Sequence, residues 1–247
     1  MATDTRGIFA LIEVVDVALS DEWVNLNDVW ISKLNQLPNT GYFGGGYFSA
    51  AGPQEVSIMD KLTYSTDTTV YTPSANLSVA RYNAAATGNT TDGYFGGGFP
   101  GPFSTMDKLT YSTDTTVYTP GANLSLARHS LAATGNSTAG YFGGGAPGPV
   151  STMDKLTYST DTTAAVPGAD LSVARWRLSA TGNSTAGYFG GGYDGSVIVS
   201  TMDKLTYSTD TTAYTPGANL SAARQYAAGT SSLANALPGT LFTPNIV

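Results

Sequence analysis

The chain of 247 residues contains no cysteine and one histidine, and only 12% of its residues are charged. The lack of cysteine excludes disulfide bridges and thiolate metal sites. A single histidine excludes a multi-histidine metal centre, and no Ser-His-Asp set can be assembled around it. No apolar run of about 18 residues is present, so no segment has the composition of a membrane-spanning helix. We therefore expect no catalytic residues, no metal and no cofactor.

Basic clusters are missing as well. The net charge is −7, and residues 1–40 hold six acids and two bases, a net charge of −4. An acidic chain of this kind is a poor partner for nucleic acid or anionic membranes. No Gly-x-x-x-x-Gly-Lys phosphate loop occurs. The apolar run near the N-terminus is too short, and its flanks are too acidic, for a signal peptide.

What the sequence has in abundance is glycine, with 29 residues, and three strings that each occur four times. The string Met-Asp-Lys-Leu-Thr-Tyr-Ser-Thr-Asp-Thr-Thr begins at Met59, Met106, Met153 and Met202, in steps of 47, 47 and 49 residues. The string Gly-Tyr-Phe-Gly-Gly-Gly begins at Gly41, Gly93, Gly140 and Gly187. The string Leu-Ser-x-Ala-Arg begins at Leu77, Leu124, Leu171 and Leu220. Such periods with glycine and aromatic signatures indicate a β-propeller.

One repeat predicts four short strands. Arg128–Thr134 is predicted as the inner strand, Tyr141–Gly145 as the second and Ser151–Ser159 as the third, with a polar turn leading to an outer fourth strand. The first glycine string has no arginine strand before it, and the last arginine strand, residues 223–230, has no glycine string after it. We predict that residues 223–230 pair beside residues 41–45 and close a ring of four blades. The alternative is that several chains share a larger ring or stack by symmetry.

The order of these motifs resembles the kelch repeat. Ala80-Arg81, the run Tyr94 to Gly98 and the run Tyr111 to Thr116 follow the kelch order of arginine-led strand, glycine-terminated strand, and aromatic before a polar turn. The tryptophan usual after that turn is absent, and smaller residues stand near its place: Val70, Val117, Ala164 and Ala213. The resemblance covers residues 41 to about 230. It implies a kelch-like propeller, which we place at residues 37–230. The segment at 1–36 lacks the repeat and is predicted to serve attachment or assembly, and residues 231–247 are predicted to form a tail.

The near-identical repeats and the acidic N-terminal leader also resemble tail-associated virion proteins of marine bacteriophages, the cyanophages in particular. That resemblance implies a non-enzymatic virion protein, tail-associated or in a fibre, made in the host cytoplasm without a signal peptide. Trp23 and Trp30 lie among apolar residues of the leader and are candidates for contacts in assembly. The implied partners are other virion proteins, a host-surface glycan or protein, and further copies of the chain, with no nucleic acid and no membrane insertion.

Two sets of repeated charges are candidates for structural roles. The arginines are Arg81, Arg128, Arg175 and Arg224, and the aspartates are Asp60, Asp107, Asp154 and Asp203. A ring of aspartates could bind a cation on the axis, but ion pairs that repeat with the fold explain them as well, and we favour the ion pairs. The arginines could contact a ligand, and we favour a role in anchoring blades.

The residues that differ between repeats are candidates for binding. Directly after each arginine stand the pairs Tyr82-Asn83, His129-Ser130, Trp176-Arg177 and Gln225-Tyr226, and the loops after the triple glycines vary too. A constant scaffold with one set of changing positions indicates a recognition surface, while drift at exposed sites is the alternative. The binding residues predicted are Tyr82, Asn83, His129, Trp176, Arg177, Gln225 and Tyr226.

Two other functions stay open at this point. One is a purely structural capsid or tail decoration protein. The other is a glycan-directed enzyme on a kelch scaffold, which we favour less. A glycosidase needs two acids in unlike environments, and repeats make their acids alike.

Overall fold

A computed structural model describes residues 40–48 and 54–231. This part of the chain is all-β, as predicted, with fifteen strands in four antiparallel sheets and four short 3₁₀ turns. None of the described residues forms a helix long and apolar enough to cross a membrane. The predicted segment 1–36, with Trp23 and Trp30, lies outside the described residues, as does residue 232 onwards.

Each sheet comes from one repeat, and neighbouring strands in a sheet are consecutive in sequence. Sheet 1 contains β1 (Thr40–Phe48), β2 (Gln54–Thr63) and β3 (Thr68–Tyr71). Sheet 2 contains β4 (Ala85–Gly88), β5 (Asp92–Gly96), β6 (Met106–Thr110) and β7 (Thr115–Tyr118). Sheet 3 contains β8 (Ala132–Gly135), β9 (Ala139–Gly143), β10 (Met153–Thr157) and β11 (Thr162–Ala165). Sheet 4 contains β12 (Ser179–Gly182), β13 (Ala186–Gly190), β14 (Met202–Thr206) and β15 (Thr211–Tyr214).

The turns between strands follow from their residues. Between β8 and β9, the side chain of Asn136 accepts hydrogen bonds from the backbone N–H groups of Thr138 and Ala139, at 2.9 and 3.0 Å. Between β10 and β11, Asp161 adopts φ 51°, a left-handed conformation that aspartate tolerates better than most residues. Short polar turns of this kind connect adjacent antiparallel strands and give each repeat its meander.

The hydrophobic core lies between consecutive sheets. One cluster joins Tyr94, Met106 and Leu124, from sheet 2 and the segment after it, to side chains of sheet 3 that include Phe142 and Leu156. The ring of Phe142 lies on Gly96, where an added Cβ would be 3.1 Å from the ring and 2.7 Å from the Met106 methyl group. This position of the repeated string therefore requires glycine, because the next sheet packs directly on its backbone.

The inner strands are shorter than predicted. β8 begins at Ala132, whereas the sequence predicted a strand from Arg128 to Thr134. The preceding residues connect neighbouring repeats instead. Ser130 has φ 54° and donates its backbone N–H to the carbonyl of Asn83 at 2.8 Å. The chain thus bends between the arginine and the strand.

The predicted pairing of residues 223–230 beside residues 41–45, and with it a closed ring, is not found among the described residues. The only strand that pairs with β1 is β2, and residues 223–230 form no strand. These residues lie along sheet 4: Tyr226 donates its N–H to the carbonyl of Arg177 at 2.9 Å, and the Thr181 hydroxyl donates to the carbonyl of Thr230 at 2.8 Å. The described chain is an open array of four sheets in which sheet 1 has three strands.

Candidate functional site

The positions that differ between repeats come together along one edge of the array. In sheets 2, 3 and 4, the residue after the arginine forms an isolated β-bridge with the residue after the triple glycine. The bridges are Tyr82 with Phe99, His129 with Ala146 and Trp176 with Tyr193. Two variable places of each repeat therefore lie side by side.

The rings at these places form a continuous row across all four sheets. Centroids of successive rings are 5.0 to 6.2 Å apart, in the order Tyr47, Tyr82, Phe99, His129, Trp176 and Tyr193. The rings meet at angles of 55° to 87°, the tilted and edge-to-face geometries that aromatic pairs favour. The longest centroid distance is 6.2 Å, between His129 and Trp176. Ala146, which is bridged to His129, stands where Phe99 stands in the repeat before, and it has no ring. These six side chains are called the aromatic row below.

A cation stacks at the sheet 4 end of the aromatic row. The guanidinium carbon of Arg177 is 3.7 Å from the centroid of the Trp176 ring and 4.8 Å from that of Tyr226. Arg177 also donates to the amide oxygen of Gln225 at 3.4 Å, while its buried Nε has no hydrogen-bond partner among the described residues. The guanidinium is thus held between two aromatic faces, a favourable cation–π arrangement.

An open groove of about 230 Å³ runs beside the row. Along it, the backbone N–H of Ser130 donates to Asn83, that of Arg177 to Ser130 and that of Tyr226 to Arg177, at 2.8 to 2.9 Å. These four residues have φ between 54° and 58°, which is unusual for side chains as large as those of Arg177 and Tyr226. Held backbone strain of this kind concentrates at binding sites. The groove is lined by Asn83, Ala84, Ser130, Leu131, Arg177, Leu178, Tyr226 and Ala227.

His129 contributes a neutral side chain to the row. Burial lowers its pKa, and the positive charge of Arg177 lowers it further. The imidazole is therefore uncharged at neutral pH, with one ring nitrogen able to donate and the other to accept a hydrogen bond. Its Nδ1 lies 3.0 Å from the Ser130 hydroxyl.

Six of the seven predicted binding residues lie at the row or the groove, and Gln225 lies beside them. Tyr82, His129 and Trp176 belong to the row, whereas Asn83, Arg177 and Tyr226 line the groove and Gln225 contacts Arg177. The sequence prediction did not name Tyr47, Phe99 and Tyr193 as binding residues. They stand in the variable loops after the glycines, and that variation was the signal that could have identified them.

The repeated arginines lie in the connectors between sheets, and each forms a buried ion pair with the aspartate in the third strand of sheet 2, 3 or 4. The nitrogen–oxygen distances are 2.6, 2.7 and 2.9 Å in the pairs Arg81–Asp107, Arg128–Asp154 and Arg175–Asp203. All six side chains are fully buried. Each arginine also donates to the carbonyl of the phenylalanine in the second strand. Arg224 and Asp60, the fourth copies, have no such partner among the described residues.

A second set of aspartates connects consecutive sheets, and the sequence did not predict it. Asp114, in the turn before β7 of sheet 2, accepts from Lys61 at 2.7 Å and from the Tyr42 hydroxyl at 2.5 Å, both in sheet 1. Burial opposes ionisation of Asp114, but these two donors outweigh it and lower its pKa. The same contacts join Asp161 to Lys108 and Tyr94, and Asp210 to Lys155 and Tyr141.

A comparison with protein-family models finds no matching family, and a comparison with curated proteins finds no matching relative. Within the part of the chain that the structure describes, no three histidine or acidic side chains are grouped so that they could hold a metal ion.

Proposed function

We propose that this chain is a non-enzymatic binding module in which the aromatic row recognises an extended ligand. The observation that carries the proposal is a division between constant and variable positions. Contacts between sheets use residues that recur in every repeat, such as the lysine and aspartate of the eleven-residue string. The aromatic row occupies the positions that change. Packing requirements explain the constant positions but not bulky, varied rings along one edge.

The chemistry of the row suits a sugar chain or an extended peptide. Tyr47 is exposed and the other five rings are half-buried, so edges and faces remain open to a ligand. Arg177, Asn83 and the neutral His129 add hydrogen-bond donors and acceptors beside these rings. Binding sites of this type combine an apolar lining with a few placed polar groups. Stacked aromatic side chains then supply most of the affinity.

As its biological setting, we propose a kelch-like propeller in a phage particle, tail-associated or in a fibre, where the row contacts the host surface or another virion protein. This setting is supported by the sequence resemblances and by the absence of basic clusters. The segment at 1–36 would attach the module to its assembly. Closure of the blades into a ring requires a further contact between sheet 4 and sheet 1.

A purely structural decoration protein is the second candidate. It is favoured by the three buried ion pairs and by the repeated lysine–aspartate contacts, which give the array rigidity whether or not it binds anything. The two candidates differ in one respect: only a recognition module loses binding when the aromatic row is altered.

Replacing Trp176 with alanine tests the recognition role. We expect ligand binding to weaken by about 2 kcal/mol, roughly thirty-fold, because the variant removes a large aromatic anchor of the row together with the ring face on which Arg177 stacks. Binding is measured on arrayed oligosaccharides and on intact bacterial cells. Melting temperature is measured in parallel, and we expect it to change little because Trp176 is only half-buried.

Two control variants make the result specific. Trp176→Phe keeps a ring and should retain most of the binding. Tyr118→Ala removes an exposed ring from outer strand β7, away from the row, and should bind as the unaltered chain does. A large fall in melting temperature of Trp176→Ala with binding intact would mean that the row is packing and that the recognition proposal is wrong.

A further inference from the structure

Consecutive sheets of the open array meet at three internal joints, between sheets 1 and 2, 2 and 3, and 3 and 4. The two ends of the array carry the donor side and the acceptor side of the same contact. At each internal joint, a lysine and a tyrosine of one sheet bind the turn aspartate of the next, and a connector arginine reaches the aspartate of the next sheet's third strand. The donors at the sheet 4 end are Tyr188, Lys204 and Arg224, and the acceptors at the sheet 1 end are Asp60 and Asp67. None of these five has a side-chain partner among the described residues.

The apolar parts of this contact are divided in the same way. At internal joints a phenylalanine packs on the preceding sheet, and Phe95, Phe142 and Phe189 are 8%, 0% and 0% exposed. The equivalent residue of sheet 1, Phe43, is 65% exposed. The position that would receive it, Gly190 of sheet 4, has the side chains of Met202 and Leu220 near it and no aromatic ring.

Tyrosine stacking and the 3₁₀ turns repeat the pattern. Tyrosine rings stack across the three internal joints at centroid distances of 5.1 to 5.4 Å. By the same repeat, Tyr188 of sheet 4 would stack on Tyr64 of sheet 1, but the two rings are not in contact and Tyr64 is 56% exposed. A threonine of the following sheet donates to the last carbonyl of each internal 3₁₀ turn at 2.6 to 2.7 Å. At the two ends of the array, the equivalent donor is the hydroxyl of Thr69 and the equivalent acceptor is the carbonyl of Ala218. These two groups form no such hydrogen bond in the described chain.

We propose that the sheet 4 end of one chain binds the sheet 1 end of a second copy of the same chain, head to tail, through this fourth joint. In that joint Arg224 pairs with Asp60, Lys204 and Tyr188 bind Asp67, and Phe43 lies on Gly190. Residues 228–230 add to β1 as the inner strand that sheet 1 lacks. Positive charge at one end thus meets negative charge at the other.

The partner is a second copy because the two ends of the described array do not meet within one chain: β1 pairs with β2 alone, and Phe43 is 65% exposed. The three internal joints have the same contacts at nearly the same distances, so they fix the same rotation between sheets. Four sheets joined in this way leave both end faces open. A head-to-tail contact gives a ring if the rotation closes after a whole number of chains, and a filament if it does not.

Two charge reversals test the proposal on the full chain. Asp60→Arg places positive groups at both ends, and Arg224→Asp places negative groups at both ends. Each variant alone should associate at least a hundred-fold more weakly than the unaltered chain in sedimentation velocity over a range of concentrations. An equimolar mixture should regain association, because each end then meets an opposite charge on the other variant. Circular dichroism should show both variants folded, since neither residue has a side-chain partner among the described residues.

Three results would overturn the fourth joint between copies. The first is an unaltered chain that stays monomeric at every concentration. The second is association that neither charge reversal weakens. The third is a double variant, Asp60→Arg with Arg224→Asp, that is stabilised as a monomer relative to both single variants, which would show that the chain closes on itself. Trp176→Ala should associate normally, so failure of this proposal and failure of the recognition proposal are distinguishable.

Discussion

Replacing Arg128 with leucine is expected to lower the free energy of unfolding by about 3–5 kcal/mol. Arg128 and Asp154 are both fully buried, and their nitrogen and oxygen atoms are 2.7 Å apart. Burial lowers the pKa of Arg128, and the charge of Asp154 opposes that shift. Without the guanidinium, the Asp154 carboxylate is left buried with the backbone N–H of Ser125 as its remaining donor. An uncompensated buried charge is among the most costly defects in a folded chain.

The repeat supplies a matched control. Arg224 stands at the same place in its repeat as Arg128, but it is exposed and has no carboxylate partner in the part of the chain that the structure describes. Arg224→Leu should therefore change the free energy of unfolding by no more than about 0.5 kcal/mol. Both variants are compared by denaturant unfolding at a concentration at which chains do not associate. Equal losses in the two variants would show that the ion pair is not what stabilises the sheet.

A double variant separates the charge from the packing. Leucine at both Arg128 and Asp154 removes the ion pair without leaving a single buried charge, so it should be more stable than Arg128→Leu alone. The difference between the double loss and the sum of the single losses measures the coupling of the two side chains. If the losses simply add, the two residues stabilise the fold independently.

The sequence predicted the architecture well because its repeats are nearly identical. Four copies of each string predicted four sheets, and glycine and asparagine marked the turns. The predicted inner strand from Arg128 was too long because the sequence contains no signal for a left-handed bend at Ser130. That bend depends on a hydrogen bond to Asn83 of the previous repeat, a contact between residues far apart in the chain.

Ring closure could not be predicted, since a repeat encodes what contacts its neighbour but not the angle between them. Residues 223–230 were predicted to pair beside residues 41–45, but they form no strand and β1 pairs with β2 alone, so the need of β1 for a further strand is unmet among the described residues. Whether four sheets meet that need depends on a small rotation at each joint, which packing sets. The lysine–aspartate contacts were missed for a related reason: Lys61 and Asp114 are 53 residues apart, and nothing local marks them as partners.

The sequence could predict those residues of the candidate site that differ between the four repeats. Comparing four internal copies identified Tyr82, His129 and Trp176, since they differ within a constant frame. The same comparison did not show that Phe99 and Tyr193 would stand beside them. Their proximity depends on the isolated bridges that join the two variable places of each sheet.

Raising the pH above about 10 is expected to unfold the chain in one cooperative step that coincides with ionisation of its buried tyrosines. Burial raises the pKa of Tyr94, Tyr141, Tyr158 and Tyr207, and hydrogen bonds from Tyr94 to Asp161 and from Tyr141 to Asp210 raise theirs further. Burial also raises the pKa of Tyr111 to about 12. A folded-state pKa above the unfolded one means that this stability is fully present below pH about 10 and is lost as the pH rises towards the folded-state value.

The steepness of the loss follows from the number of tyrosines. Each buried tyrosine that stays protonated while the unfolded chain ionises removes about 1.4 kcal/mol per pH unit, so Tyr94, Tyr111, Tyr141 and Tyr158, whose pKa values are raised the most, together remove about 5 kcal/mol per unit. A domain of ordinary stability, about 5–15 kcal/mol, then unfolds within one to three pH units above 10. Far-ultraviolet circular dichroism and tyrosinate absorbance, recorded together, should change in the same step.

Tyr141→Phe tests whether the buried hydroxyls cause this steepness. The variant keeps the ring that stacks on Tyr207, but it removes an ionisable group and the hydrogen bond to Asp210. We expect a lower stability at neutral pH by about 1 kcal/mol and a decline with pH that is shallower by about a quarter. Tyr118→Phe, at an exposed position of β7, should leave the slope unchanged. Gradual ionisation of all tyrosines near pH 10 with unchanged circular dichroism would contradict the burial on which the joints between sheets depend.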